Sequence, residues 1–466
     1  MNAKDLKEKL FYTSANAASN ITDEMSKEIT DFCEDYKNYM NVSKTERQAV
    51  KSSIKLLEEN GFKEFEKNKK YQAGDKIYKN HRNKSLIAAV IGTEGLENGA
   101  KFAASHIDSP RLDLKPRPIY EKDELAFFKT HYYGGVKKYQ WTAIPLALTG
   151  VVIDKNGKAI DITIGEDEND PIFYITDLLP HLAKDQVKKP LSQGISGEEL
   201  NILVGSLPFK DDKESDLVKL NLLNILNEKY GITERDFISA ELTAVPAYKA
   251  KDVGFDRSMI AAYGHDDKIC AYTSLMAAIE VKNPKYTTIT VLADKEETGS
   301  NSNTGLDTNF LLYFVNELAL SAGVEPHRVL ENSTCLSADV NAAHDPTFPD
   351  VLEINNAAKI NHGVALTKYT GSGGKYSTSD ANAEFVGYVT NLLDRDKVFW
   401  QIAELGKVDQ GGGGTVAMFL SALDIEVIDV GVPVLAMHAP YELVSKIDTF
   451  MTYKAFYSFF NDEKMV

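Results

Sequence analysis

The chain has 466 residues, more than one hydrophobic core usually organises, so we expect two domains. Its composition, 43% hydrophobic and 26% charged, is that of a soluble globular protein. The net charge of −16 argues against nucleic acid and against anionic membranes as partners. No apolar stretch is long enough to span a bilayer, and the first residues lack the apolar core of a signal peptide.

The three cysteines, Cys33, Cys270 and Cys335, lie far apart and have no paired spacing. Cysteines of this kind are typical of reduced thiols rather than of a disulfide framework. We therefore expect a cytoplasmic protein.

The first sixty residues show helical periodicity, in "DEMSKEITDFCEDYKNYM" (23–40) and in "SKTERQAVKSSIKLLEENG" (43–61). Gly61 is a typical stop for the second helix. Two short β-type runs follow, "SLIAAVIG" (85–92) and "KFAASHID" (101–108). This order predicts the start of a domain in which helices cover a sheet.

Residues 112–254 have a different pattern, with many short β runs such as "LAFFKTHYYGG" and "PLALTGVVID". The turn "DKNGK" (154–158) predicts a hairpin, and one charged helix near 216–231 is the main exception. We interpret the segment as a mostly β domain inserted into the first one. The predicted limits are therefore 1–111 and 255–466 for the first domain and 112–254 for the inserted one.

Helices and strands alternate again after Gly254. A predicted helix over 267–280 leads to the strand "YTTITVLAD" (286–294), and a helix over 310–323 leads to "STCLSADV" (333–340). This alternation predicts an α/β fold with a layered sheet.

Five places share one feature: a carboxylate or imidazole lies at or just beyond the end of a short apolar run. These residues are His106 and Asp108, Asp266, Glu296 and Glu297, Asp339, and His438. In layered α/β sheets, ligands gather beyond the carboxyl ends of the strands. Oxygen and nitrogen donors converging there favour a metal such as zinc, cobalt or manganese.

Each of these places also has a structural explanation when it is taken alone. A histidine after a strand is usually structural, the aspartate at 266 fits a helix N-cap, and the two glutamates fit an exposed turn. Asp339 is harder to explain in that way, because an unpaired carboxylate at the end of an apolar strand is costly. His106 and Asp108 form a His-x-Asp pair in which the carboxylate can orient the imidazole.

Charge favours two metal ions over one. Two divalent cations would balance the carboxylates of Asp266, Glu297 and Asp339 together with one hydroxide, and a neutral set can be buried without a large penalty. Adjacent residues on a strand point to opposite faces, so the glutamate pair fits two roles. Glu297 is the predicted metal ligand, and Glu296 is the predicted general base.

The motifs "HIDSP", "HDDK", "EETGS", "SADV" and "AMHAP", in this order, resemble the M18 metallo-aminopeptidases, the family that includes aspartyl aminopeptidase. The segments "YGGVKKYQW" and "SGGKYSTSDANAEFVGY" look like the bacterial branch of that family labelled aminopeptidase 1. The resemblance implies a layered αβα zinc-exopeptidase domain with an inserted, mostly β dimerisation domain. It also implies two Zn²⁺ per subunit and a homo-oligomer, a dodecamer built from dimers.

The resemblance also assigns roles. It implies metal ligation by His106, Asp266, Glu297, Asp339 and His438, with Glu296 as the catalytic base and Asp108 as the orienting catalytic carboxylate. Many relatives have a charged triplet where this chain reads "WTAIPL" (141–146), so the resemblance does not imply a preference for acidic N-terminal residues.

Four further residues are candidates for substrate binding. Gly413 and Gly414 precede a predicted helix, where backbone amides can hold a carbonyl or carboxylate, although a tight turn also explains them. Lys375 lies in a loop that resembles a substrate loop of the family, and a solvated lysine is the alternative. His181, in "LLPHLAKD", is a candidate for a histidine offered to a neighbouring subunit, and a turn histidine is the alternative.

The predicted function is a dinuclear zinc aminopeptidase that removes N-terminal residues from peptides with a free N-terminus, by attack of metal-activated water. The alternative has the same metal centre but a different substrate: it is a metal-dependent amidohydrolase of small N-acyl amino acids. A non-catalytic scaffold would have lost a ligand or the base, and this sequence retains both.

Overall fold

The structure is a computed structural model that describes residues 2–12, 14–210 and 214–466. Helices occur at both ends of the chain and between strands in the second half. Their bounds are α1 (Ala3–Leu10), α2 (Asp23–Val42), α3 (Glu46–Glu59), α4 (Leu191–Gly194), α5 (Leu217–Tyr230), α6 (His265–Glu280), α7 (Phe310–Ala322), α8 (Pro326–Glu331), α9 (Ala383–Arg395), α10 (Ala417–Ser421) and α11 (Lys446–Asn461).

The largest sheet within the described ranges has nine strands. In spatial order they are β1 (Lys63–Glu64), β2 (Lys76–His81), β3 (Ser85–Val90), β13 (Thr287–Ala293), β4 (Ala100–His106), β14 (Thr334–Ala338), β18 (Glu426–Gly431), β16 (Val364–Thr367) and β17 (Trp400–Ile402). The four central strands β13, β4, β14 and β18 run parallel to one another. Their carboxyl ends therefore meet at one edge of the sheet.

Helices cover both faces of this sheet because its strands are apolar on both sides. In β3, Leu86 and Ala88 pack into one core with α2, α3, α6, α9 and α11. Ile87 and Ala89 point the other way and pack with α7, α8 and α10. This alternation is the pleat of a strand buried on both faces. The arrangement confirms the predicted layered α/β class.

A second sheet of six strands is built from the middle of the chain. In spatial order its strands are β8 (Ala159–Ile164), β7 (Leu146–Ile153), β10 (Glu241–Pro246), β5 (Arg111–Lys122), β6 (Leu125–Tyr133) and β9 (Ile202–Gly205). The turn at 154–158 joins β7 and β8 as an antiparallel pair, as its sequence predicts. The limits of an inserted domain and its role in dimerisation stay predictions.

A third, small sheet brings distant segments together. Its strands in spatial order are β11 (Lys251–Val253), β12 (Met259–Ala262), β20 (Glu442–Ser445), β19 (Pro433–Leu435) and β15 (Asn341–Ala342). β12 leads directly into α6, and β19 leads into the turn that contains His438. This sheet thus places the start of α6 and the turn that contains His438 beside the carboxyl edge of the large sheet, although the two segments are far apart in the sequence.

The side chain of Lys101, near the start of β4, is fully buried. Its Nζ donates to the backbone oxygens of Phe459, at 2.9 Å, and of Asp462, at 2.6 Å. Both acceptors lie at the end of α11. Burial lowers the pKa of Lys101 to about 7. The strand that ends in His106 is therefore tied at its other end to the last helix.

In the part of the chain that the structure describes, no helix combines the length and the apolar character needed to cross a membrane.

Candidate metal centre

Three of the predicted site segments come from neighbouring strand ends of the large sheet. His106 is the last residue of β4, Asp339 follows β14, and Glu296 and Glu297 form a short turn after β13. Because these strands are parallel and adjacent, their end residues gather at one edge.

The small sheet supplies the other two segments. Asp266 lies at the start of α6, just after β12, and His438 lies in the turn between β19 and β20. Glu442, the first residue of β20, accepts the backbone N–H of Asp266 at 3.0 Å and that of His438 at 2.6 Å. One buried carboxylate thus holds the backbone at both residues.

One half of the centre surrounds the His106 imidazole. Its Nε2 lies 3.1 Å from Asp266 Oδ1, 3.7 Å from Glu296 Oε2 and 3.8 Å from Asp339 Oδ1. The donor atoms of His106, Glu296 and Asp339 all lie within 4.8 Å of one another. This spacing is compact enough for the atoms to surround a single cation.

The other half surrounds the His438 imidazole. Its Nε2 lies 3.0 Å from Asp266 Oδ2 and 3.5 Å from Glu297 Oε1. The two oxygens of Asp266 therefore face different histidines. A carboxylate in that position can bridge two cations.

Asp108 connects the two halves without facing the space between them. Its carboxylate Oδ1 lies 3.3 Å from His106 Nδ1. Its oxygens also accept the backbone N–H groups of Glu296 and Glu297, both at 3.2 Å. The backbone oxygen of Asp108, 3.1 Å from His106 Nδ1, orients the imidazole together with the carboxylate. The carboxylate also fixes the turn that carries both glutamates, the arrangement by which an outer carboxylate tunes a metal-binding histidine.

The donor set fits a divalent cation. Glu297 Oε1 is buried and has no hydrogen-bond partner among the described residues. A buried carboxylate oxygen without a partner is costly unless a cation neutralises it. Imidazole nitrogens and carboxylate oxygens together are ligands that zinc accepts. The residues present therefore fit the predicted metal.

The pKa values of the site reflect crowded, buried carboxylates. Burial, reinforced by the neighbouring carboxylates, raises the pKa of Glu296 to about 7. The same causes raise the pKa of Glu297 and of Asp339 well above the ordinary value. Burial lowers the pKa of His438, but the hydrogen bond with Asp266 outweighs it and brings that pKa to about 10. Cations bound here would displace protons from the carboxyl groups.

A cavity of about 660 Å³ opens onto the centre. Gly413 and Gly414 line it, together with the predicted centre residues Asp266, Glu296, Glu297, Asp339 and His438. His181 is exposed and is not among the lining residues. Lys375 also lies outside the lining, and its Nζ is 2.7 Å from Asp380 Oδ2. A substrate role for these two residues stays a prediction.

Two residues next to the centre are absent from the sequence-based prediction. Glu442 follows His438 by four residues, and no local pattern marks it as buried. Tyr133 ends β6, and its hydroxyl donates to Asp108 Oδ2 at 2.6 Å. The Gly-Gly pair directly after Tyr133 is the signal that could have found this contact, because glycines permit a close approach of backbone to other groups.

Comparison with known proteins identifies the family. The family model "Aminopeptidase I zinc metalloprotease (M18)" matches residues 39–460. A relative from Clostridium acetobutylicum, "Probable M18 family aminopeptidase 1", is 48% identical over 455 residues, which cover 96% of this chain and 98% of the relative.

Solved structures agree in fold. The crystal structure of an M18 family aminopeptidase from Thermotoga maritima is 43% identical, with a TM-score of 0.93 over 97% of this chain and 100% of that one. The S. cerevisiae mApe1 dodecamer, at 23% identity and a TM-score of 0.75, covers 92% of this chain and 96% of its own and shares the fold. The resemblance of the five motifs is thus confirmed, and the chain belongs to the M18 family of zinc metallo-aminopeptidases.

Proposed function

We propose that this aminopeptidase is dinuclear and that Asp266 is the ligand shared by two Zn²⁺ ions. One observation carries the proposal: Asp266 Oδ1 lies 3.1 Å from His106 Nε2, and Oδ2 lies 3.0 Å from His438 Nε2. His106 and Asp339 would hold one ion, and Glu297 and His438 the other. Co²⁺ and Mn²⁺ suit the same donors.

Charge supports two ions rather than one. Asp266, Glu297 and Asp339 are three carboxylates close together in largely buried positions. Two divalent ions and one hydroxide neutralise them, whereas a single ion leaves excess negative charge in a region of low dielectric. When bound, such a pair of ions lowers the pKa of a water molecule between them and polarises the substrate carbonyl.

Glu296 is the proposed general base, and exposure supports this division of roles between the two glutamates. Both glutamates line the cavity, but the side chain of Glu296 is 18% exposed, whereas that of Glu297 is only 4% exposed and faces His438. The Glu296 carboxylate can therefore take a proton from water in the cavity and deliver it to the leaving amine. Asp108 holds the glutamate turn at its backbone while this proton moves.

The proposed substrates are peptides with a free N-terminus. A cationic amine suits a cavity whose inner end is formed by carboxylates. Gly413 and Gly414 lie in the same cavity and offer backbone amides to the substrate.

A pair of chromogenic substrates separates this function from the alternative amidohydrolase. We expect an aminoacyl substrate to be cleaved and its N-acetylated form to be turned over at least about a hundredfold more slowly, because the acetyl group removes the charge that the carboxylates bind. The rates should be measured with zinc, cobalt and manganese supplied in turn. Faster cleavage of the acetylated form would favour the amidohydrolase of N-acyl amino acids.

We also propose a homo-oligomer, specifically a dodecamer built from dimers. The S. cerevisiae mApe1 structure is a dodecamer, and this chain shares its fold. In the middle segment, Leu178, Leu182, Val187 and Leu191 are more than half exposed. Exposed apolar side chains grouped in this way mark an interaction surface.

Light scattering of the purified protein tests the assembly. We expect a mass of about twelve chains, since burial of these apolar side chains between copies stabilises association. A mass equal to one 51.6 kDa chain would contradict the proposal.

The proposed location is the cytoplasm. All three cysteines are buried and free. Burial raises the pKa of each thiol above its ordinary value, which keeps the thiols protonated and unreactive. Such thiols are typical of proteins that fold in a reducing compartment.

A further inference from the structure

The end of β6 reaches from the six-stranded sheet into the metal centre. Three consecutive residues, Tyr133, Gly134 and Gly135, each contact a different residue of that centre. None of these three residues is among the site residues predicted from the sequence. The strand that leads into them, β6, belongs to the six-stranded sheet and not to the large one.

Tyr133 acts on Asp108. Its hydroxyl donates to Asp108 Oδ2 at 2.6 Å, the same oxygen that accepts the Glu297 N–H. The Tyr133 ring is 7% exposed, and the guanidinium of Arg111 lies 4.1 Å from its centroid. Arg111 in turn pairs with Glu46 at 2.9 Å. The phenol is therefore held firmly where it completes the hydrogen bonds of the orienting carboxylate.

Gly134 lies against Glu297. A Cβ atom at this position would be 3.1 Å from Glu297 Oε2 and 3.3 Å from Glu297 Cβ. Its φ of +72° is also one that glycine adopts without strain. A side chain at position 134 would therefore crowd Glu297, which would have to shift by a few tenths of an ångström.

Gly135 acts on His438. Its carbonyl oxygen lies 3.0 Å from His438 Nδ1 and accepts the Nδ1–H. The other nitrogen, Nε2, is thereby turned toward the centre, 3.0 Å from Asp266 Oδ2. A hydrogen bond to one ring nitrogen that leaves the other free is how proteins prepare histidine to bind a metal.

We propose that Tyr133, Gly134 and Gly135 are positioning residues for the zinc centre, acting through Asp108, Glu297 and His438 respectively. The inference rests on the proposed function, because it assigns a purpose to the contacts of that centre. It makes the end of β6, a strand of the six-stranded sheet, a part of the geometry of the proposed zinc centre.

Gly134→Ala tests the close approach to Glu297, and Gly157→Ala is its matched control. Both glycines have positive φ, +72° and +80°, but a Cβ at Gly157 would meet nothing within 4 Å. We expect Gly134→Ala to weaken zinc binding by about 10- to 100-fold in a chelator competition, relative to the control. The Gly157→Ala control measures the effect of placing alanine at a positive φ without any crowding of a neighbour. Equal zinc affinity in the two variants would overturn the role of Gly134.

Tyr133→Phe tests the phenol with little risk to folding, since the change removes one oxygen. Tyr132→Phe is the control, because that neighbouring side chain is 41% exposed. We expect Tyr133→Phe to lower kcat about tenfold with KM little changed. We also expect it to weaken zinc binding in the chelator competition. A residue with a purely structural role would lower the unfolding temperature without separating kcat from KM. Wild-type kcat and zinc affinity would overturn the role of Tyr133.

The wild-type protein distinguishes failure of this inference from failure of the proposed function. If the wild type holds two zinc ions and cleaves the free-amine substrate while Gly134→Ala and Tyr133→Phe match their controls, the inference is wrong and the function stands. If the wild type binds no zinc, the proposed function is wrong, and the inference falls with it.

Discussion

Replacing Glu296 with alanine should leave zinc bound and lower kcat by about 10³-fold, because the water loses its proton acceptor while the five proposed ligands remain. Glu296→Gln should do the same, since the amide has the size of the carboxylate but cannot accept the proton. The measurements are the turnover of an aminoacyl chromogenic substrate and the zinc content of the same preparation by elemental analysis.

Glu94→Ala is a suitable control, because that glutamate is exposed in a loop away from the centre. Near-normal turnover in Glu296→Ala would show that another group accepts the proton. If the variant loses both zinc and turnover, Glu296 is a metal ligand instead. The structure permits that role, because a carboxylate oxygen of Glu296 lies within 4.8 Å of donor atoms of His106 and Asp339.

Replacing His438 with alanine should remove about half of the bound zinc and nearly all activity. His438 Nε2 faces the oxygens of Asp266 and Glu297, so its loss leaves one ion with two carboxylates and too few donors. The ion held by His106, Asp266 and Asp339 should stay. The measurement is the number of zinc ions per chain in the variant and in the wild type, after gel filtration in buffer without added metal.

His327→Ala is the matched control, because that histidine is exposed on α8. An unchanged zinc content in His438→Ala would exclude His438 from the ligand set. Complete loss of zinc would show that the two ions bind only as a pair.

The sequence was sufficient to predict which residues gather at the carboxyl edge of the large sheet. His106, Glu297 and Asp339 each follow an apolar run, and parallel neighbouring strands must end at the same edge. The helices that cover the sheet were likewise visible in their periodicity. Hydrophobic periodicity and polarity are local properties of the sequence, so they can be recognised without knowing which strands pair with each other.

Contacts made across distant segments could not be predicted in this way. Glu442 binds the backbone of Asp266 only because β20 pairs with β12, although 176 residues separate Glu442 from Asp266 in the chain. His265 shows that closeness in sequence does not by itself place a residue in the site. It lies beside Asp266 in the sequence, yet its Nδ1 faces Tyr36 at 2.6 Å and it takes no part in the centre.

The burial of the Lys101 side chain has a practical consequence for protein engineering. Its ammonium group depends on two backbone carbonyls near the end of the chain, those of Phe459 and Asp462. A shortened variant that stops at Asn461 would keep the Phe459 acceptor but lose the Asp462 acceptor, which leaves the buried amine with fewer hydrogen bonds near the start of the strand that carries His106. Purification tags and fusion partners should therefore be joined beyond Asp462, so that this anchor is kept.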